Sequence, residues 1–249
     1  MQREPIFNVP KVVAAVLAAL VLIHLVREYV LSEDADLQLL LTFAFIPARY
    51  DGAALVQGWP GGLGADVWTF VTYALLHASW LHLGVNALWF LPFGSALARR
   101  FGALRFLAFL AITSAGGAAL HLATHAGQQY PMIGASAAIS GTMAAAMRFA
   151  FQRGGPLAVF RDADDEAFRV PALPLRGILR DGRVLLFLLV WFGVNFIFGV
   201  GSFSTLTGGE TVAWQAHVGG FLAGLLLFSW FDPVKFAPPP AQDWDAPPQ

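Results

Sequence analysis

The sequence of 249 residues contains no cysteine and few charges. Without thiols there can be no disulfide framework, no thiolate metal site and no cysteine nucleophile. Asp, Glu, Lys and Arg make up 12% of the residues, about half the roughly 25% of a soluble domain. The two signs nearly cancel, with 15 Lys and Arg against 16 Asp and Glu. Nothing in that balance points to nucleic acid. Apolar residues fill the space instead, at 57% of the chain and a mean hydropathy of +0.62. This composition places the chain among all-α integral membrane proteins. No internal repeat is evident.

A spanning helix needs about 20 mostly apolar residues. Six stretches qualify or nearly so: Val12 to Leu31, Trp80 to Ala98, Leu104 to His121, Ser136 to Phe151, Val184 to Val200 and Val212 to Phe231. The first lacks a small-residue cleavage site before Arg27-Glu28, so it reads as a retained span rather than a signal peptide. Ser79 is placed to cap the second span, since its oxygen can accept from backbone N–H groups about three residues on. Between these two spans, residues 32–78 read as an interfacial loop. Leu37 to Pro47 is too short to span, and Gly52, Gly58, Pro60, Gly61, Gly62 and Gly64 are expected to break regular structure.

The resulting domain map is a short N-terminus over 1–10, a six-span membrane domain over 11–232 and a tail over 233–249. The tail is rich in Pro and is expected to be disordered. Of the 15 Lys and Arg, all but Arg27 and Arg49 fall on one side of this map. The positive-inside rule makes that side cytoplasmic. Both termini and the loop 152–183 then lie in the cytoplasm.

The same map gathers a set of polar residues at one depth. Ser136 follows an external connection, inside the small-residue run Gly134 to Gly141. His217 lies about five residues into the last span, ~8 Å below its start. His82 and Asn86 are four apart near the outer end of the second span, so they share a helix face. Polar side chains at such depth are functional candidates by default. A serine hydroxyl needs a neighbouring base to attack a carbonyl, and His217 can be that base. The Ser136 N–H, His82 and Asn86 can act as donors to an oxyanion. No Asp or Glu lies in the outer half of spans two to six, so no acidic group is available to orient His217. The chemistry would be that of a Ser–His dyad.

At these residues the sequence resembles the rhomboid intramembrane serine proteases. The G-x-S motif of that family is matched by Gly134-Ala135-Ser136. Its A-H-x-x-G-x-x-x-G pattern is matched from Ala216-His217 through Gly220 to Gly224, and its H-x4-H-x3-N pattern by His77, His82 and Asn86. The resemblance implies a six-helix rhomboid-like bundle. It implies Ser136 as nucleophile, His217 as general base and acid, His82 and Asn86 at the oxyanion, and a more structural role for His77. Gly134, Gly141, Gly220 and Gly224 are the small residues of the motifs, with Gly220 and Gly224 letting the last span approach the fourth. The implied function is a serine endopeptidase needing no cofactor or metal. Its substrates would be single-span membrane proteins, cut near the outer face of a membrane that is expected to be a bacterial inner membrane.

The sequence departs from that pattern in three places. Ala137 follows the serine where the family often has Gly. Ser140 stands where an aromatic ring would stack on the histidine. Trp68-Thr69 replaces a Trp-Arg pair in the first loop. Ser140 is read as a packing residue, and as the rival nucleophile under a shifted register. His24, His121 and His125 are read as structural. A metal site on His77, His82 and His217 is disfavoured by the five-residue spacing of the first two and by the lack of a carboxylate to complete a shell. The remaining alternative is a non-catalytic rhomboid-like protein that binds membrane client helices.

Overall fold

The computed structural model describes residues 9–51, 58–157, 166–200 and 212–234. The expectations for residues 1–8, for the tail beyond 234 and for the external connection 201–211 lie outside the described residues. Among the described residues the regular elements are helical: α1 (Lys11–Tyr29), α2 (Glu33–Phe43), α3 (Gly62–Thr72), α4 (Trp80–Phe101), α5 (Ala103–Thr124), α6 (Ser136–Ala146), the single turn α7 (Leu175–Ile178), α8 (Gly182–Val200) and α9 (Trp214–Phe231). By length and composition, α1, α4 and α5 can each cross a bilayer. Ser79 does cap α4, its Oγ accepting from His82 N at 3.2 Å.

Residues 32–78 are more regular than the sequence suggests. Ser32 caps α2 by accepting from Ala35 N, and Glu33, Asp34 and Asp36 complement the helix dipole in its first turn. α3 runs through Gly62 and Gly64, two of the residues expected to break structure. Gly61, with φ 85°, makes the turn into this helix. Gly64 lies under the indole of Trp68, where a Cβ would come within 2.5 Å of the ring. The two helices are then tied together. The Trp68 indole N–H donates to Thr42 O at 3.0 Å and the Thr72 hydroxyl to Phe43 O at 2.7 Å.

Arg49 anchors this region. It is 2% exposed. Its guanidinium donates to the carbonyls of Leu41 and Pro60, meets Asp66 at 3.4 Å and lies over the Trp59 ring. An arginine therefore does hold the loop, but from position 49 rather than beside Trp68. Thr69 is fully buried, with its hydroxyl donating to Ala65 O and paired with the Tyr50 hydroxyl. At the other end of the molecule Arg100 is also buried. It pairs with Asp232 through two contacts of 2.8 Å and donates to Phe168 O and Val170 O. Two buried arginines thus join segments that are distant in sequence.

α6 is shorter than the expected fourth span. It ends at Ala146 and continues as turns through Ala150. Every residue from Ala137 to Ala146 is buried, so this helix is enclosed by its neighbours. Its main partners are α9, α4 and α5, and α9 packs most extensively of all against α5 and α6. The α6–α9 crossing brings backbone against backbone. A Cβ on Gly220 would collide with Ala137 O, and one on Gly224 with Gly141 O. A Cβ on Gly141 would come within 2.5 Å of Thr113 on α5. Small residues are what permit such approach between apolar helices. Positions 137 and 141 meet 220 and 224, so the two helices run in the same direction.

Candidate active site

The parallel crossing fixes what happens one turn above it. Ser136 is the first residue of α6, and His217 lies in the first turn of α9. The Ser136 Oγ is 2.7 Å from His217 Nε2, across 81 residues of sequence. The first N–H groups of any helix lack intrahelical acceptors, and Ala135 before α6 provides no side-chain cap. Backbone donors are therefore concentrated at Ser136.

The loop that delivers Ser136 is pinned at several points. Phe45 and Met132 exchange backbone hydrogen bonds of 3.1 and 2.8 Å. Gly134 N donates to Tyr73 O at 3.0 Å, and the Tyr73 hydroxyl donates to Ser114 O on α5. Gly134 itself has φ +123°, a conformation that side chains disfavour.

His82, in the first turn of α4, lies directly beside Gly134. The point that a Cβ on residue 134 would occupy is 2.7 Å from His82 Nε2 and 3.8 Å from Ser136 Oγ. The His82 ring thus lies on the same side of Gly134 as the Ser136 hydroxyl. Asn86 sits one turn further along α4 and is 5% exposed, and its Nδ2 donates to His82 O at 2.9 Å. His77 is 1% exposed and packs edge-on against His82, with ring centres 5.2 Å apart. The Ala135 N–H points at its Nε2 at 3.5 Å, and its carbonyl accepts from Arg27 at 2.7 Å. Arg27 is in turn paired with Asp36. Burial lowers His77 to about 3, helped by His82, His24 and Arg27 nearby. It is therefore neutral at any physiological pH.

Of the remaining histidines, His24 lies near His77 and His82, outside the Ser136–His217 contact. His24 meets Trp80 edge-on at 4.6 Å, and His121 stacks on His125 at 4.4 Å. Ser140 is buried at 4% exposure within the enclosed helix, where a packing role fits it. One contact was not foreseen. Asn195 of α8 places its Oδ1 2.6 Å from His217 Nδ1. The signal was available, because Asn195 is the one polar side chain between Val184 and Val200.

A family model described as Rhomboid domain matches residues 64–231. The Rhomboid protease GlpG of Serratia proteamaculans (strain 568) is 27% identical over 165 residues, covering 66% of this chain and 48% of the relative. The chain thus spans about half the length of the curated relative it matches.

Proposed function

The chain belongs to the rhomboid family, and from that premise we propose that it is an intramembrane serine endopeptidase acting on single-span membrane proteins. The observation that carries this reading is the 2.7 Å contact between Ser136 Oγ and His217 Nε2. In the proposed reaction the Ser136 oxygen attacks the scissile carbonyl while Nε2 takes the hydroxyl proton. The oxyanion forms beside the Ser136 N–H, with His82 as a side-chain donor and Asn86 holding the His82 turn. His217 then gives its proton to the leaving amine, and the peptide C–N bond breaks. Water, deprotonated by the same imidazole, hydrolyses the acyl-serine and regenerates the hydroxyl.

In this reading α1, α4, α5, α6, α8 and α9 are the six spans and both termini are cytoplasmic. The charge distribution supports that orientation, because only Arg27 and Arg49 lie on the outer side. The membrane is a bacterial inner membrane, and the cut falls near its outer face, at the depth of Ser136. Cleavage of a single-span reporter should be abolished by Ser136→Ala and by His217→Ala while both variants still insert. A fluorophosphonate probe should label the wild type and not Ser136→Ala. Full cleavage by Ser136→Ala would overturn the reading. A folded wild-type protein that the probe never labels would favour a client-binding role instead.

A further inference from the structure

We infer that Asn195 is a positioning residue for His217: its amide oxygen selects the imidazole tautomer that turns the Nε2 lone pair toward Ser136. This rests on the protease reading above and adds to it a third group, contributed by α8.

The orientation of the amide is determined by its surroundings. The Asn195 Nδ2 donates to Trp191 O, one turn back on α8, at 2.8 Å. A flipped amide would set its oxygen against that carbonyl, acceptor facing acceptor. Oδ1 therefore faces His217, 2.6 Å from Nδ1. An amide oxygen has no proton to give, so Nδ1–H is the donor. A neutral imidazole carries one N–H, which leaves Nε2 as the acceptor 2.7 Å from the Ser136 hydroxyl. Ser136, His217 and Asn195 thus form a chain of hydrogen bonds running in one direction, across α6, α9 and α8.

Without the amide oxygen, the alternative tautomer would place an N–H against the serine hydroxyl. The ring would also be free to turn about its side-chain bonds. A carboxylate is the stronger orienter in soluble hydrolases, but an ionised group inside an apolar bundle is costly. An amide orients the ring without a buried charge. It also accounts for the tolerance of Ser140 at the position where the resemblance places a stacked aromatic, since His217 is held from a different helix.

The experiment uses the full chain in liposomes. It compares the wild type with Ser136→Ala, Asn195→Leu and Asn195→Asp, reading the fluorophosphonate labelling rate together with kcat and KM on a single-span reporter. Leucine matches the amide in size but cannot accept, whereas an aspartate there keeps the acceptor in either protonation form. General-base catalysis contributes about 10²–10⁴-fold, so Asn195→Leu is expected to lower the labelling rate and kcat by about tenfold or more with KM little changed. Asn195→Asp should recover most of that loss. If Asn195→Leu does not fold, the pair Asn195→Ala and Asn195→Asp is read for the same difference. Labelling of Asn195→Leu at the wild-type rate, a loss confined to KM, or an aspartate no better than leucine would each overturn the inference. Labelling that survives Ser136→Ala would instead overturn the protease reading, so the two failures are distinct.

Discussion

Gly134 lies against the Nε2–Cε1 edge of the His82 ring: a Cβ on residue 134 would come within 2.7 Å of Nε2 and 2.8 Å of Cε1. The first expected outcome concerns Gly134→Ala. The methyl group would push the His82 ring aside, and the φ of +123° adds backbone strain of about 1–3 kcal/mol. Displacement by about 1 Å can cost on the order of 10²-fold in rate. The fluorophosphonate labelling rate should therefore fall much further than the melting temperature suggests. Wild-type labelling would show that His82 is not near the reacting atoms.

Gly220→Ala tests the crossing that sets the Ser136–His217 distance. The added Cβ meets the backbone carbonyl of Ala137, which cannot move aside without moving α6. The variant should insert but lose about 1–3 kcal/mol to overpacking and most of its reporter cleavage. The same substitution at Gly84, where a Cβ meets nothing within 4 Å, should leave stability nearly unchanged. Thermal melting of the two variants beside the wild type makes the comparison.

Arg49 should behave as a keystone of the 32–78 region. Arg49→Met removes the donors to the part-buried carbonyls of Leu41 and Pro60, at about 1 kcal/mol for each hydrogen bond lost. Arg49→Lys should rescue little, because one ammonium cannot reproduce the guanidinium fork. Limited proteolysis is the measurement, with earlier cutting between residues 32 and 78 as the expected result. Cutting unchanged from the wild type would remove the anchoring role.

His77 gives a pH signature. Its folded value is about 3 against an ordinary 6.5. Between those values the unfolded chain holds a proton that the folded chain does not, so stability rises with pH across that window. Acidification from pH 7 to 4.5 should destabilise the wild type more than His77→Gln, which has no such proton. Equal losses in the two would mean that His77 is protonated in the folded protein.

The sequence made the Ser136–His217 pair legible because both ends of the contact lie in motifs with fixed spacing. The α4 cap at Ser79 was legible for a similar, local reason. α2 and α3 were harder to read, since Gly62 and Gly64 signal a break when taken alone. Only the Trp68 ring lying over Gly64, and the hydrogen bonds to Thr42 O and Phe43 O, make a helix of that stretch. In the sequence Arg49 reads as an external charge like Arg27, and its role depends on carbonyls 8 and 11 residues away. Asn195 is hard to read from the sequence for a different reason. A carboxylate is the sequence mark of a histidine's orienting partner, and an amide in an apolar span meets the same geometric need without the charge.

The burial of α6 on all sides has a consequence for how its sequence can vary. A helix facing lipid is selected for hydropathy, and exchanging Ala for Leu there is nearly free. Ala144, Ala145 and Ala146 are each 0% exposed, on a helix packed against three others. At these three positions the admissible alphabet is set by volume. Leucine, the residue that a hydropathy scale would favour, has no free space there, although Ile139 and Met143 find room elsewhere on the helix. Ser140 and Thr142 are small enough to fit, and polarity did not bar them.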